Sequence, residues 1–133
     1  MTLRLIVPAI AGVALLVSTA AAAPSLARNG PAQVTLKQDR LTRQGQHKQL
    51  YALFTARFKA QCPYAKFREQ AKETQAALKG ITFRITGERI RGAKGYVAYK
   101  YLRGAKVLAN VKADLYLKVN GKWLDEVDKV TSC

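Results

Sequence analysis

Two side chains in the sequence are of the types that general acid and base chemistry uses, His47 and Asp125. His47 is the single histidine and lies on the apolar stripe of a predicted helix. Asp125 shares strand parity with Trp123 and Val127, which predicts that its carboxyl group points to the same side as these apolar residues. Burial there would raise the pKa of Asp125, as a base that removes a proton beside a carbonyl requires.

Each candidate also has an interpretation without chemistry. Asp125 belongs to an acidic cluster with Glu126 and Asp128, which a solvated strand end can carry opposite nearby lysines. His47 can line the rim of a pocket in contact with solvent. One histidine and two cysteines are too few ligands for a zinc site and lack the parts of a nucleophilic triad. The stretch Gly92-Ala93-Lys94-Gly95 precedes no helix and is predicted to be a hairpin turn, not a phosphate loop. We therefore expect no metal and no cofactor.

The N-terminal residues 1–23 predict a signal peptide. After Arg4 the chain runs to residue 23 without a charge, and four alanines precede Pro24, a layout typical of cleavable export signals. A retained anchor is the alternative, because about 20 apolar residues can span a bilayer. The sequence thus predicts a secreted, extracytoplasmic protein of the cell envelope with no membrane span after cleavage.

The cysteine content agrees with export. Cys62 and Cys133 are the only cysteines, and outside the cytoplasm they are expected to form a disulfide. Spacing alone leaves unpaired thiols or an intermolecular bond as alternatives.

Positive charge is the strongest compositional signal. The chain has 23 Lys and Arg against 8 Asp and Glu, a formal net charge of +15. Seven of the cations crowd the first two predicted strands and their turns, with Tyr96, Tyr99 and Tyr101 interleaved: Arg84, Arg89, Arg91, Lys94, Lys100, Arg103 and Lys106. Such a surface attracts polyanions, which after export would be anionic envelope polymers, anionic lipid head groups or extracellular DNA, with no specific nucleic acid indicated. Another envelope protein is a further candidate partner. The alternative is that the charge only keeps a small protein in solution.

The domain organisation follows from the composition and from the spacing of apolar residues along the chain. Residues 24–38 mix Pro, Gly, Asn and Ser and predict a flexible leader before a domain at 39–133, with Asp39 as a helix N-cap. Apolar residues at helical spacing predict a first helix that ends by Cys62, before Pro63: His47, Leu50, Tyr51, Phe54 and Phe58. A second helix runs to Gly80 and buries Tyr64, Phe67, Ala71 and Leu78.

Beyond Gly80 the apolar period changes to two, which predicts antiparallel sheet. Ile85 and Ile90 have opposite parity, and Gly87 between them indicates a bulge. The longest strand is predicted to present one apolar face, with Val107, Ala109, Val111, Ala113, Leu115, Leu117 and Val119. Asn120-Gly121 then predicts a type I′ hairpin into the last strand. The expected architecture is α+β, with two N-terminal helices packed on a curved antiparallel sheet of about four strands.

This order of elements, the Asn-Gly-Lys-Trp hairpin at 120–123 and the Asp-Glu-Val-Asp ending at 125–128 resemble the NTF2-like, cystatin-type α+β roll. The stretch Leu50-Tyr51-Ala52-Leu53-Phe54, Cys62-Pro63 and the terminal Cys133 resemble small secreted bacterial members of unassigned function. The resemblance covers about residues 39–133. It implies a pocket between the first helix and the sheet, with Tyr51, Phe54 and Trp123 as candidate lining residues.

Function does not follow from this fold, which hosts isomerases, dehydratases, ligand carriers and binding modules. We expect a non-enzymatic binding or interaction module at the bacterial envelope. The alternatives are an isomerase or dehydratase that uses Asp125, helped by His47 and a tyrosine, or a carrier of a small hydrophobic ligand. A polar strand face favours a monomer over a dimer formed through the sheet: Asn110, Lys112, Asp114, Tyr116 and Lys118.

Overall fold

The computed structural model describes residues 23–127 and residue 133. Four helices precede four strands: α1 (Pro31–Arg43), α2 (His47–Tyr51), α3 (Ala56–Gln61), α4 (Tyr64–Ala77), β1 (Thr82–Arg91), β2 (Lys94–Arg103), β3 (Lys106–Val119) and β4 (Lys122–Asp125). The strands form one antiparallel sheet in chain order. The predicted α+β class is confirmed, but the helices number four in this part of the chain, where two were expected.

Three of the sequence expectations concern residues that the structure does not describe. The signal peptide and the alternative anchor occupy residues that, except for Ala23, lie outside the described part of the chain, as does Asp128 of the acidic cluster. Within the described residues, no helix combines the length and the apolar character needed to cross a membrane.

Helix α1 begins at Pro31, eight residues before the predicted N-cap Asp39. Proline suits the first turn of a helix. The acceptor for the first turn comes from β1, where the Glu88 carboxylate accepts hydrogen bonds from the backbone N–H groups of Ala32 at 2.8 Å and Ala27 at 2.7 Å. A carboxylate also interacts favourably with the positive end of the helix dipole. The predicted leader boundary is therefore wrong, because residues 31–38 are helical.

The predicted first helix is divided into shorter pieces. Gly45, in the left-handed region with φ +69°, follows α1 and separates it from α2. Residues 53–55 then pair with β4: the Asp125 N–H donates to the Leu53 carbonyl at 2.8 Å, and the Thr55 N–H donates to the Asp125 carbonyl at 3.0 Å. Thr55 also caps α3 by accepting a hydrogen bond from the Phe58 N–H at 3.3 Å. A long-range pairing thus interrupts a stretch whose local period is helical.

The predicted disulfide is present. Cys62 is joined to Cys133 across a sequence separation of 71 residues, with their Cα atoms 5.2 Å apart. Closing so long a loop reduces the entropy of the unfolded chain, by roughly 4 kcal/mol in the chain-entropy model. Cys62 belongs to the helical core cluster, together with Leu41, Leu50, Phe58, Phe67 and Ala71. The bridge therefore ties the last residue of the chain to the helices.

The sheet has two faces, an inner face toward the helices and an outer face away from them. In β1 the register shifts between Ile85 and Gly87, so Ile85 and Ile90 both lie on the inner face, paired with Tyr99 and Gly95. The bulge predicted at Gly87 is confirmed.

Two further register shifts change the faces of β3: one near its start, where Tyr101 pairs with Ala109 but Leu102 pairs with Val107, and one in its middle. Val97 pairs with Asp114 but Tyr99 pairs with Val111, so Lys112 and Ala113 together oppose one residue of β2. Side chains beyond the bulge are therefore on the opposite face from the one that a continuous strand would give them. The single apolar face predicted for β3 is wrong: Asp114 and the fully buried Tyr116 face the helices, whereas Leu115 and Leu117 face outward. The polar face of β3 on which the expectation of a monomer depended is likewise split between the two sides of the sheet.

The inner face of the sheet carries a second core cluster, made of Ala32, Ile85, Val97, Tyr116 and Trp123. At its centre α1 touches the backbone of β2. A Cβ atom placed on Gly95 would lie 2.6 Å from Cγ of Pro31 and 3.1 Å from Cζ3 of Trp123. The absence of a side chain at Gly95 thus lets the first turn of α1 pack directly on the sheet.

We predict that Gly95→Ala lowers the free energy of unfolding by about 1 to 3 kcal/mol, because the rigid Pro31 ring must move to accommodate the methyl group. Gly87→Ala is the matched control, since a Cβ atom there meets nothing closer than the Ala98 Cβ at 3.8 Å. Urea unfolding of both variants measures the difference. Equal stability of the two variants would contradict the close approach of α1 to β2.

Candidate functional site

A cavity of about 240 Å³ lies between the helices and the inner face of the sheet. It is larger than an engineered cavity of about 150 Å³ that accepts benzene. The helical wall is mostly apolar and includes Leu50, Phe54, Phe58, Phe67, Ala71 and Leu78. The opposite wall is polar and includes Gln38 and Asp39 from α1 with Tyr99, Tyr101, Asp114 and Asp125 from the sheet. The cavity therefore has the apolar and polar sides that a small amphipathic molecule needs.

Asp125 is held in this wall by pairing on both sides. Its backbone pairs with Tyr116 of β3 and with residues 53–55. The residue is 7% exposed, and Oδ2 of its carboxyl group accepts a hydrogen bond from Gln38 Nε2 at 2.9 Å. The other oxygen, Oδ1, is buried and has no hydrogen-bond partner among the described residues. Asp125 thus lines the cavity and has one buried carboxyl oxygen that no described residue pairs.

Hydrogen bonds link Asp125 to a chain of polar side chains between α1 and the sheet. The Tyr116 hydroxyl donates to Gln38 Oε1 at 2.7 Å and accepts from the Thr35 hydroxyl at 2.9 Å. The Tyr99 hydroxyl donates to Oδ2 of Asp114 at 3.2 Å. Gln38 contacts Tyr116 through its oxygen and Asp125 through its nitrogen, so its amide links the two side chains.

Burial governs ionisation at this wall. It raises the pKa of Asp125 to about 8, and the charge of Asp114 adds to the effect, while the hydrogen bond from Gln38 acts in the opposite direction. Asp125 is therefore mostly protonated at pH 7. Since Oδ2 accepts from Gln38, the proton belongs on Oδ1, where it makes Asp125 a hydrogen-bond donor. Burial also raises the pKa of Tyr99 and of Tyr116, so both remain neutral phenols.

Asp39 forms a second acidic position in the cavity wall, this one ion-paired. Its Oδ2 accepts a hydrogen bond from Arg43 Nε at 2.8 Å, and this hydrogen bond raises the pKa of Arg43. Arg43 Nη1 also donates to the carbonyl of Leu78 at 3.1 Å, which joins α1 to the end of α4. Oδ1 of Asp39 is buried without a hydrogen-bond partner among the described residues. Asp39 is thus a cavity residue inside α1, not the predicted N-cap.

The structure brings two of the predicted residues, Asp125 and Phe54, together at the cavity. Tyr51 donates to the Cys62 carbonyl at 2.8 Å and packs on other aromatic rings, and Trp123 lies in the second core cluster. His47 lines a separate surface recess with residues 45–49 and Tyr64. These three side chains are not among those that line the cavity.

Sequence reasoning missed Gln38, Tyr99 and Asp114 as cavity residues. Gln38 lay in the supposed leader, and Tyr99 was assigned with Tyr101 to the basic surface, but both tyrosines line the cavity. Asp114 was assigned to the exposed face of β3, because the bulge has no glycine or proline to mark it. Alternation of Val97, Tyr99 and Tyr101 in β2 is the signal that identifies an inner face there.

The predicted basic surface is found mainly on the outer face. Cross-strand pairs place Arg84 with Lys100, Arg89 with Tyr96 and Arg91 with Lys94 on that face. The remaining two cations, Arg103 and Lys106, pair with each other at the β2–β3 hairpin.

No protein-family model matches this chain, and no curated protein matches it significantly.

The stability of the protein should depend on pH through Asp125. In the unfolded chain Asp125 titrates near its ordinary pKa of 3.8, and in the folded protein near 8. Between pH 3.8 and about 8 the folded protein keeps a proton on Asp125 that the unfolded chain has lost. The stabilisation that this proton gives is therefore complete below pH 3.8 and is lost as the pH rises to about 8. We predict that wild type loses stability relative to Asp125→Asn across this window, by at most about 1.4 kcal/mol per pH unit.

Urea unfolding of wild type and Asp125→Asn at half-unit steps of pH measures this difference. Above pH 8 the plots of unfolding free energy against pH for the two proteins should run parallel. Curves that are parallel throughout the window would show that Asp125 ionises normally in the folded protein.

Proposed function

We propose that this protein binds a small, largely apolar molecule bearing one hydrogen-bond acceptor, such as a carbonyl group, in the cavity. The observation that supports the proposal is the buried Oδ1 of Asp125, which has no hydrogen-bond partner among the described residues. A buried polar atom left unpaired costs about 1 to 3 kcal/mol. A ligand carbonyl that accepts from the protonated Asp125 removes this cost, while the rest of the ligand contacts the phenylalanine and leucine side chains of the helical wall.

We also propose that the protein acts outside the cytoplasm as a carrier and belongs among the NTF2-like rolls. The Cys62–Cys133 disulfide supports an oxidising compartment, and the sequence of residues 1–23 supports export. Helices packed on an antiparallel sheet, with a cavity between the two layers, support the proposed family.

The ligand proposal predicts binding of acetophenone in preference to ethylbenzene, which has a similar shape but no oxygen. At pH 6, where Asp125 is protonated, one added hydrogen bond of about 1 kcal/mol gives roughly a fivefold preference. Above pH 8 the carboxylate has lost its proton and the preference should disappear. Calorimetric or ligand-observed NMR titrations at both pH values measure it.

A pair of variants on α4 locates the binding. Ala71 is buried and lines the cavity, whereas Ala76 is exposed on the same helix. Ala71→Phe should weaken binding of acetophenone at least tenfold by occupying the cavity, and Ala76→Phe should leave it unchanged. Thermal unfolding of both variants checks that they are folded. Equal binding by the two folded variants would place the ligand elsewhere.

An enzyme is the second candidate, because a carboxyl group with a raised pKa in an apolar cavity also suits general base catalysis. The ionised Asp125 would take a proton from the carbon beside a ligand carbonyl, leaving an enolate whose oxygen a neighbouring donor stabilises. In D₂O this predicts exchange of deuterium into the acetophenone methyl group, faster as the pH rises toward 8 and lost in Asp125→Asn. Proton NMR measures the exchange. Binding without exchange above the buffer rate would leave the carrier as the function.

A further inference from the structure

The outer face of the sheet carries basic side chains and no acidic ones among the described residues. Seven cations lie on it: Arg84, Arg89, Arg91, Lys94, Lys100, Lys112 and Lys122. The three acidic residues of the strands all face inward. Glu88 binds the start of α1, and Asp114 and Asp125 line the cavity. All acidic side chains of the four strands are therefore on the inner face, which also carries the cation Lys118 beside Trp123.

The same face also carries an aliphatic patch, which we define as Leu115, Leu117, Val119 and Leu124. The bulge in β3 directs Leu115 and Leu117 outward, and Leu117 pairs with Leu124. Val119 is 43% exposed and the three leucines are half-buried, and neither core cluster includes any of the four side chains. Apolar surface of this kind, bordered by charge, typically marks an interaction site.

Cations border the aliphatic patch directly. Lys94 pairs with Leu117, and Lys122 pairs with Val119 on the adjacent strand. Arg91 pairs with Lys94 one strand further away. Aliphatic side chains next to Lys and Arg are the combination that binds the surface of an anionic bilayer, with the cations at the head groups and the aliphatic groups at the boundary of the acyl chains.

We propose that the outer face of the sheet binds the surface of an anionic lipid bilayer. This inference goes beyond the ligand cavity and does not depend on it, because the two sites use opposite faces of the sheet. Charge complementarity argues against a second copy of the chain as the occupant, since two such faces would bring cations against cations with no described carboxyl group between them.

Other polyanions fit the outer face less well. A fully hydrophilic polymer would leave the aliphatic patch in water. A single-stranded nucleic acid needs several aromatic rings for its bases, but Tyr99 and Tyr101 face the cavity. Tyr96 is the aromatic residue on the outer face of the described strands, and its ring is covered by the Arg89 guanidinium, 4.9 Å from the ring centre.

The test is sedimentation with vesicles of phosphatidylglycerol and phosphatidylcholine, compared with vesicles of phosphatidylcholine alone. We predict binding only to the anionic vesicles at low salt, and its loss at about 1 M salt, where screening reduces the Debye length to about 3 Å. Every variant is tested as the exported chain without residues 1–23, the predicted signal peptide, so differences between variants report on the folded surface.

Two triple variants remove the same charge from different places. Arg91→Gln with Lys94→Gln and Lys122→Gln should weaken vesicle binding about a hundredfold. Lys66→Gln with Lys72→Gln and Lys79→Gln, all exposed on or just after α4, should change it little. Equal losses in the two triple variants would mean that only the net charge matters and would overturn the proposal.

A further variant separates lipid from other occupants. Leu117→Gln should weaken vesicle binding several-fold and leave binding to heparin unchanged, because only the bilayer covers the aliphatic patch. Tight binding to heparin without binding to vesicles would overturn the proposal in favour of a soluble polyanion. Concentration-dependent dimerisation that Leu117→Gln abolishes, measured by analytical ultracentrifugation, would overturn it in favour of a second copy of the chain.

Discussion

The bulge in the middle of β3 is the constraint on which both surfaces of the sheet depend. Lys112 and Ala113 together oppose one residue of β2, and this reverses the faces of everything that follows in the strand. Asp114 and Tyr116 are directed toward the helices as a result, and Leu115 and Leu117 are directed away. A continuous strand would have given an apolar interior and a polar exterior. The bulge instead gives the cavity its polar wall and gives the outer face its aliphatic side chains.

Hydrogen bonds connect the polar wall, but Oδ1 of Asp39 and Oδ1 of Asp125 have no partner among the described residues. Gln38 forms hydrogen bonds with both Tyr116 and Asp125, and the Tyr99 hydroxyl donates a hydrogen bond to Asp114. The carboxyl groups of the buried Asp125 and the half-buried Asp114 cannot both ionise on one face of the sheet without a cost, and protonation of Asp125 relieves it. A ligand that forms a hydrogen bond with the unpaired oxygen of Asp125 would then add most to the stability of the folded protein. Stability and ligand binding are therefore linked through the same proton.

Sequence reasoning predicted the features that depend on local geometry. Asn120 and Gly121 both adopt positive φ at the predicted hairpin, Gly87 lies at the predicted bulge, and the two cysteines pair. It failed where distant residues decide the local structure. The start of α1 depends on Glu88, 56 residues from Ala32, and the bulge in β3 has no residue of special backbone preference. Asp125 was a candidate on strand parity alone, whereas its partner Gln38 required the position of α1.

The central claim is that Asp125 is a neutral acid inside the cavity at pH 7. The most direct measurement is the ¹³C chemical shift of the Asp125 carboxyl carbon as a function of pH in the folded protein, with Asp125→Asn used to assign the signal. The expected titration midpoint is near 8. A midpoint near the ordinary value of 3.8 would show that Asp125 is ionised at neutral pH, and would contradict both the buried neutral acid and the ligand proposed to bind it.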